Sequence, residues 1–351
     1  MKEFDILITT GGTGGHIFPA LSCGEFFEKN GKKVLYLLSG SKIGTIDKAN
    51  VIYWKSYHFQ KNPLQFVKAL FSLKLNTIKS FFILKQKSPC IILATGSYAV
   101  VPVLIASILL KKPFFLMEQN VIPGLVNKIF ARFARANFVA FDETKKHLKG
   151  NVIVTGLPLR EEAKKRYSKE EARRLLNLPE DKMAILVIGG SLGARGMVEK
   201  IVPFAGKFSE YLFITQTGAR NFDYINSLVQ TLNLKNCITL PFIKEMGLYY
   251  SAADIVISRA GASSCMEIVY HGKPAILVPY PYSRDKHQYY NARELEKTGN
   301  VVVIAENDIS EKFENYLKDL SWAYKKEFAK KLSIENAEEI IYKEIFKDAI
   351  C

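Results

Sequence analysis

The residues best suited to chemistry stand near the start of the chain. Residues 9–22 read TTGGTGGHIFPALS, an apolar run that passes into four glycines within five positions and then His16. Glycine costs backbone entropy inside regular structure, so this density assigns a task to the backbone itself. A glycine-rich turn between a strand and a helix exposes N–H groups, and the helix start that follows favours negative charge. Two familiar phosphate motifs are absent. No Lys stands where G-x-x-x-x-G-K-[ST] requires one, and Ile17 takes the place of the last glycine of G-x-G-x-x-G after Gly12, Thr13 and Gly14. The turn therefore reads as an anion-binding loop without a nucleotidase or dinucleotide signature, the alternative being a bare strand–helix turn. An imidazole, with an ordinary pKa of about 6.5, suits a general base near neutral pH. The other use for His16 is to brace the loop by hydrogen bonding.

A second stretch with chemical character is ISRAGASSCMEIVYHGKPAILVPYPYSRDKHQYYNA, residues 257–292. Gly261 ends a strand there, and Ser264 to Glu267 fits the S-x-x-E capping box at a helix start. The N–H groups of Ala262, Ser263, Ser264 and Cys265 then become anion donors, alongside that of Ser191 in GGSLGAR. Together with Thr13, Gly14 and Gly15 they make three backbone corners, and diphosphate is the ligand that uses them best. Glu267, one turn into its helix, is placed to accept hydrogen bonds from a ribose diol. Arg160, just after Pro158, is either a phosphate or base-edge contact or a solvated surface charge.

The elements that must position these groups alternate strand and helix throughout. Strands are predicted at 4–10, 33–38, 90–95, 113–117, 136–140 and 151–154, then at 184–189, 211–215, 237–240, 254–257, 275–279 and 300–304. Helical patterns fill the gaps, for instance at 124–134, 169–176, 196–207, 244–251 and 287–297. Such alternation argues for an α/β protein with parallel sheets covered by helices on both faces. AILVIGGSLGARGMVEKIV, from residue 184, repeats the opening plan of strand, glycine-rich turn and helix. Two doubly wound, Rossmann-like domains facing across a cleft are therefore expected, one over 1–160 and one over 161–334. An amphipathic stretch read as one helix over roughly 308–350 is expected to cross back, its last part, about 335–351, packing on the first domain.

Composition is that of a globular chain of 351 residues, 48% hydrophobic and 24% charged. The five cysteines show no C-x-x-C and no His at zinc spacing, which reads as reduced thiols and no metal site. The first ten residues read as a strand that leads into the loop, not as a signal peptide. Residues 88–110 carry no charge, yet Gly96, Ser97, Tyr98 and Pro102 break them into a buried strand, a loop and a buried helix rather than a membrane span. Net charge is +15 and unevenly placed: residues 1–160 hold 22 Lys/Arg against 8 Asp/Glu, residues 161–351 hold 27 against 26. Between Asp47 and Glu118 stand ten lysines and no acid, which points to an anionic partner, nucleic acid or a membrane surface. PLQFVKALFSLKLNTIKSFFILKQK, residues 63–87, decides between them. It interleaves Phe66, Leu70, Phe71, Phe81 and Phe82 with Lys68, Lys74, Lys79 and Lys85, the pattern of an interfacial helix on anionic headgroups, and no nucleic-acid motif accompanies it. Part of its apolar face is also expected to pack on the sheet.

The stretches GGTGGHIFPAL, GSYAVVP, EQNVIPGLVN, TGLPLRE, GGSLGAR, PFI, RAGASSCMEI and DKHQYYNA, taken together and in this order, resemble the MurG family along nearly the whole chain. Members of that family add N-acetylglucosamine to the lipid-linked muramoyl-pentapeptide precursor of the bacterial cell wall, at the cytoplasmic face of the membrane. The resemblance implies a GT-B fold, UDP-N-acetylglucosamine as donor, the 4-hydroxyl of the lipid-linked muramoyl-pentapeptide as acceptor, and inverting transfer with neither cofactor nor metal. It implies a peripheral enzyme of the inner membrane in peptidoglycan synthesis. Donor contacts carry over to Thr13, Gly14, Gly15, Asn120, Arg160, Ser191 and Ile243, the last near the uracil, then to Ala262 through Met266, Glu267 and, at the sugar hydroxyls, Gln288. The base that takes the acceptor proton is expected to be His16, with Glu118 and Tyr98 as rivals or supports. His58, His147 and His271 are treated as structural or surface residues. The chain departs from the family at His287-Gln288, where Gln-Gln is common, at Met117, where a His usually precedes EQN, and at Ala262-Ser263-Ser264, where Ala-Leu-Thr is usual. Other UDP-sugar enzymes of the same fold, a UDP-N-acetylglucosamine 2-epimerase or a glycolipid glycosyltransferase, are the alternative.

Overall fold

A computed structural model describes residues 3–12, 14–39, 50–54, 63–190, 193–324 and 336–347. Thr13, Ser191 and His58 lie outside the described residues, as does the side chain of Phe66. The chain divides into two compact units, residues 1–158 with 336–351, and residues 159–335.

In the first unit β1 (Ile6–Gly11), β2 (Val34–Ser39), β3 (Val51–Trp54), β4 (Ile91–Ala94), β5 (Phe114–Glu118), β6 (Asn137–Val139) and β7 (Val152–Val154) form one parallel sheet in the order β3-β2-β1-β4-β5-β6-β7. In the second, β8 (Met183–Ile188), β9 (Tyr211–Gln216), β10 (Cys237–Leu240), β11 (Ile255–Ser258), β12 (Ala275–Leu277) and β13 (Val301–Val303) are ordered β10-β9-β8-β11-β12-β13, again parallel. The central strands are buried from end to end because helices cover both faces, which is why β1 and β4 read as near-continuous apolar runs. In each sheet the strand order reverses direction once, between β1 and β4 and between β8 and β11. Ligands of doubly wound sheets bind outside the carboxyl ends of the strands at that switch point. Both glycine-rich turns leave the sheets there.

Three expectations are corrected. The edge strand β3, whose residues are all strand formers, is absent from the predicted strands and pairs with β2 through Tyr36↔Val51 to Ser39↔Trp54. The stretch 308–350 is not one helix. It runs as Ile309–Lys318, a 3-10 turn over Ser321–Tyr324, and a separate helix, Ala337–Phe346. That last helix packs on the first unit, where Tyr342 and Phe346 meet the Phe27 ring at 5.8 Å each. Finally, Cys23, Cys237 and Cys265 are free thiols, but Cys90 is disulfide-bonded.

The segment 63–86 is a helix, and Val101–Leu109 packs along it. Leu84 and the half-buried Phe81 join the core of the sheet, whereas Leu70, Phe71 and Phe82 are exposed, Phe71 by 69% and Phe82 by 62%. Lys68, Lys74, Lys79 and Lys85 are exposed too. Among the described residues no helix is long and apolar enough to cross a membrane.

Candidate functional site

At the first switch point, β1 ends in Gly11 and the helix Gly14–Lys29 begins three residues later. A side chain at Gly11 would place its Cβ 2.7 Å from both the Ser39 carbonyl oxygen and the Ala99 Cβ, so only glycine lets the strand end pass between β2 and the turn after β4. His16, half-buried in the first helical turn, places Nδ1 2.8 Å from the Thr95 carbonyl oxygen just beyond β4. A carbonyl only accepts, so Nδ1 carries the proton and Nε2 is the basic nitrogen of the neutral ring. Gln119 donates to the same oxygen at 3.4 Å. Tyr98 opens the 3-10 turn that follows β4, and its ring is half-buried.

Glu118, the last residue of β5, is buried and surrounded by donors. Its Oε1 accepts from the Asn120 backbone N–H at 3.0 Å and side chain at 3.4 Å. Its Oε2 accepts from Gly124 N–H at 3.0 Å and Asn127 Nδ2 at 2.8 Å. With both oxygens engaged, this carboxylate holds the Asn120–Gly124 loop. Glu118→Ala is expected to leave several buried donors without an acceptor at about 1–3 kcal/mol each, and so to lower the thermal midpoint by several degrees. An unchanged midpoint in a calorimetric scan would return Glu118 to the list of candidate bases.

In the second unit the turn after β8 is closed by Gly193, whose φ is +66° and whose Cβ would lie 2.1 Å from the Thr217 carbonyl oxygen. The buried Gln216, at the end of β9, ties this turn to the next loop. Its Nε2 donates to Gly190 O at 3.2 Å and its Oε1 accepts from Ile243 N–H at 3.1 Å. Nothing in the sequence singled out Gln216. The same is true of Arg259, which is buried beside β11, donates to the Val278 carbonyl at 3.2 Å and pairs with Glu306.

The capping box is not formed. The helix runs Ala262–Tyr270 with Gly261 as N-cap and no side-chain cap, so Ser264 is the third helical residue. Cys265 N–H already donates to Gly261 O at 2.9 Å, which narrows the backbone donors to Ala262, Ser263 and Ser264. The side chains of Cys265 and Met266 are buried, and burial pushes the Cys265 thiol up. Glu267 is turned inward instead of capping. Its Oε1 lies 3.8 Å from Arg160 Nη2, and its Oε2 accepts from the Tyr250 hydroxyl at 3.1 Å. Burial raises its pKa, a shift opposed by Arg160 and by the Tyr250 hydrogen bond. Gln288 accepts from Tyr280 N–H at 2.9 Å through Oε1, and His287 Nδ1 meets Arg284 O at 2.7 Å, just after Asp285 and Lys286, both left-handed. His271 stacks on Tyr250, and burial lowers its pKa to about 4, while His147 is exposed. Among the described residues no group of three or more His, Cys, Asp or Glu is arranged to hold a metal ion.

Comparison with known proteins adds to this geometry. The glycosyltransferase family 28 N-terminal domain matches residues 6–139 and the glycosyltransferase family 28 C-terminal domain matches residues 184–345. A UDP-N-acetylglucosamine--N-acetylmuramyl-(pentapeptide) pyrophosphoryl-undecaprenol N-acetylglucosamine transferase of Caldicellulosiruptor saccharolyticus is 34% identical over 91% of this chain and 89% of its own. The crystal structure of Acinetobacter baumannii MurG superposes with a TM-score of 0.77 at 24% identity, covering 97% of this chain and 99% of that one. UDP-GlcNAc 2-epimerase from Neisseria meningitidis superposes with a TM-score of 0.67 at 16% identity, covering 98% of this chain and 100% of that one, a likeness of fold alone.

Proposed function

The chain belongs to glycosyltransferase family 28 and, within it, to the MurG family, and from that premise we propose how its residues divide the work of transfer. It is a UDP-sugar hexosyltransferase that moves N-acetylglucosamine from UDP-N-acetylglucosamine to the 4-hydroxyl of lipid-linked N-acetylmuramoyl-pentapeptide, a step of peptidoglycan synthesis. The observation that carries this is identity of about a third along nearly the full length of both chains, which the 2-epimerase likeness lacks.

The second unit takes the donor. The N–H groups of Ala262, Ser263 and Ser264 receive its diphosphate at a helix start, and Ser191 adds a donor from the other glycine-rich turn. Glu267 accepts from the ribose diol, Ile243 lies along the uracil, Gln288 holds the sugar hydroxyls, and Arg160 sets the Glu267 carboxylate. Thr13, Gly14 and Gly15 in the first unit receive a diphosphate, with Asn120 held by Glu118 as a further contact. His16 Nε2 takes the proton of the acceptor 4-hydroxyl as that oxygen attacks the anomeric carbon, and the bond to UDP breaks with the electron pair leaving on its phosphate. Aimed backbone N–H groups stabilise the charge that appears there. The exposed Phe71, Leu70 and Phe82, with the four lysines of the same helix, rest on an anionic leaflet from which the acceptor is drawn, while the half-buried Phe81 serves the core instead. On this reading the enzyme works as a peripheral protein at the cytoplasmic face of the membrane, and its positive charge serves lipid headgroups rather than nucleic acid.

Incubation with radiolabelled UDP-N-acetylglucosamine and a lipid-linked muramoyl acceptor is expected to move label into the lipid fraction. Label that stays in the nucleotide sugar, or appears as its 2-epimer, would overturn the assignment.

A further inference from the structure

We infer that Tyr250 is a positioning residue for the nucleotide, its hydroxyl presenting the Glu267 carboxylate to the ribose diol. This rests on the assignment of Glu267 to the ribose and adds a residue that touches no ligand itself. Tyr250 belongs to the helix Met246–Ala252 and is fully buried. Its hydroxyl donates to Glu267 Oε2 at 3.1 Å from the protein side, while Arg160 faces Oε1 at 3.8 Å. An ionised carboxylate accepts at about four lone-pair sites on its two oxygens. A diol donating one O–H to each oxygen needs the carboxylate plane held in one orientation, and a carboxylate on three rotatable bonds does not hold itself. The phenol supplies that restraint before the ligand arrives, which lowers the ordering cost of binding.

The ring itself is held from behind. It stacks on His271 with centroids 4.9 Å apart and planes 14° apart, and His271 Nε2 lies 2.6 Å from the Ala163 carbonyl oxygen. Because a carbonyl only accepts, that nitrogen donates, and burial keeps the imidazole neutral with its pKa lowered to about 4. Ala163, His271, Tyr250 and Glu267 thus form a continuous packed chain that holds the ring in place behind its hydroxyl. Burial also raises the Tyr250 pKa well above the usual phenol value, so it remains a donor wherever the carboxylate is ionised.

Tyr250→Phe removes the hydroxyl and keeps the ring, so a core-filling role would pass the test unchanged. Binding of UDP and 2′-deoxy-UDP should be measured by calorimetry for the parent, Tyr250→Phe and Glu267→Gln, with kcat, donor KM and thermal midpoints alongside. In Tyr250→Phe, UDP affinity is expected to fall about tenfold and 2′-deoxy-UDP affinity less than about twofold, so that discrimination between them collapses. Donor KM should rise by a similar factor with kcat within about twofold, and the midpoint should fall by no more than the few degrees that one hydrogen bond lost to a buried carboxylate costs. If Tyr250→Phe keeps the parent's discrimination while Glu267→Gln loses it, the inference about Tyr250 is wrong and the ribose assignment stands. If Glu267→Gln also keeps it, the ribose assignment itself fails.

Discussion

His16→Ala is expected to lower kcat by about 10²-fold or more, with donor KM changed by less than about threefold, as for loss of a general base that makes no ground-state contact with the donor. The expectation rests on a tautomer. The Thr95 carbonyl, 2.8 Å from Nδ1, fixes the proton on that nitrogen and makes Nε2 the basic one. The carbonyl is itself rigid, because Thr95 N–H donates to Thr9 O at 3.2 Å and the Thr95 and Thr10 hydroxyls meet at 2.6 Å. A base must be unprotonated, so the parent's rate should fall towards acid, and this acidic limb should vanish with the imidazole. His16→Gln, which keeps a donor to Thr95 but no base, should be as slow as His16→Ala. A variant that keeps both its turnover and its acidic limb would assign the proton transfer to another group and leave His16 a brace for the loop.

The second large effect concerns the helix Pro63–Gln86. Changing Lys68, Lys74, Lys79 and Lys85 together to Gln is expected to weaken binding to anionic vesicles by about 10²-fold, since each lysine near such a surface contributes up to about 1 kcal/mol. All four side chains are exposed, and Phe71 and Phe82 stand out beside them, so the charge attracts while the rings anchor. Raising the salt to about 1 M, where the Debye length is about 3 Å, should reproduce the loss in the parent protein. Turnover of a short-chain, water-soluble acceptor should stay near normal, because no lysine of this set is assigned to the donor. Equal vesicle binding by parent and quadruple variant would mean that the positive balance of the first half serves something else.

Much of this architecture is legible in the sequence because burial on both faces forces apolar runs, and eleven of the twelve predicted strands begin within one residue of the observed start. The glycine-rich turns are legible for a similar reason, since at Gly11 and Gly193 no other residue fits the backbone approach. What escaped depends on partners distant along the chain. Ser264 and Glu267 match a capping box in type and spacing, yet Glu267 turns inward because Arg160 and Tyr250, 107 and 17 residues away, offer it a cation and a hydroxyl. Arg259 finds Glu306 across 47 residues, and Gln216 spans two loops that only the sheet order brings together. The edge strand Val51–Trp54 is too short for periodicity to register, and pairing with β2 alone defines it.

The discontinuous make-up of the first unit has a consequence for biosynthesis. Residues 336–351 belong to that unit, yet the ribosome makes them after all of 159–335. Until then the Phe27 face of the helix Gly14–Lys29 lacks Tyr342 and Phe346, the rings that cover it. Domains generally fold as units while the chain emerges, the earlier ones first. Here the earlier unit must wait for its last helix while the later one completes itself, so an incomplete chain exposes an aromatic surface for the whole time that the second unit is being translated.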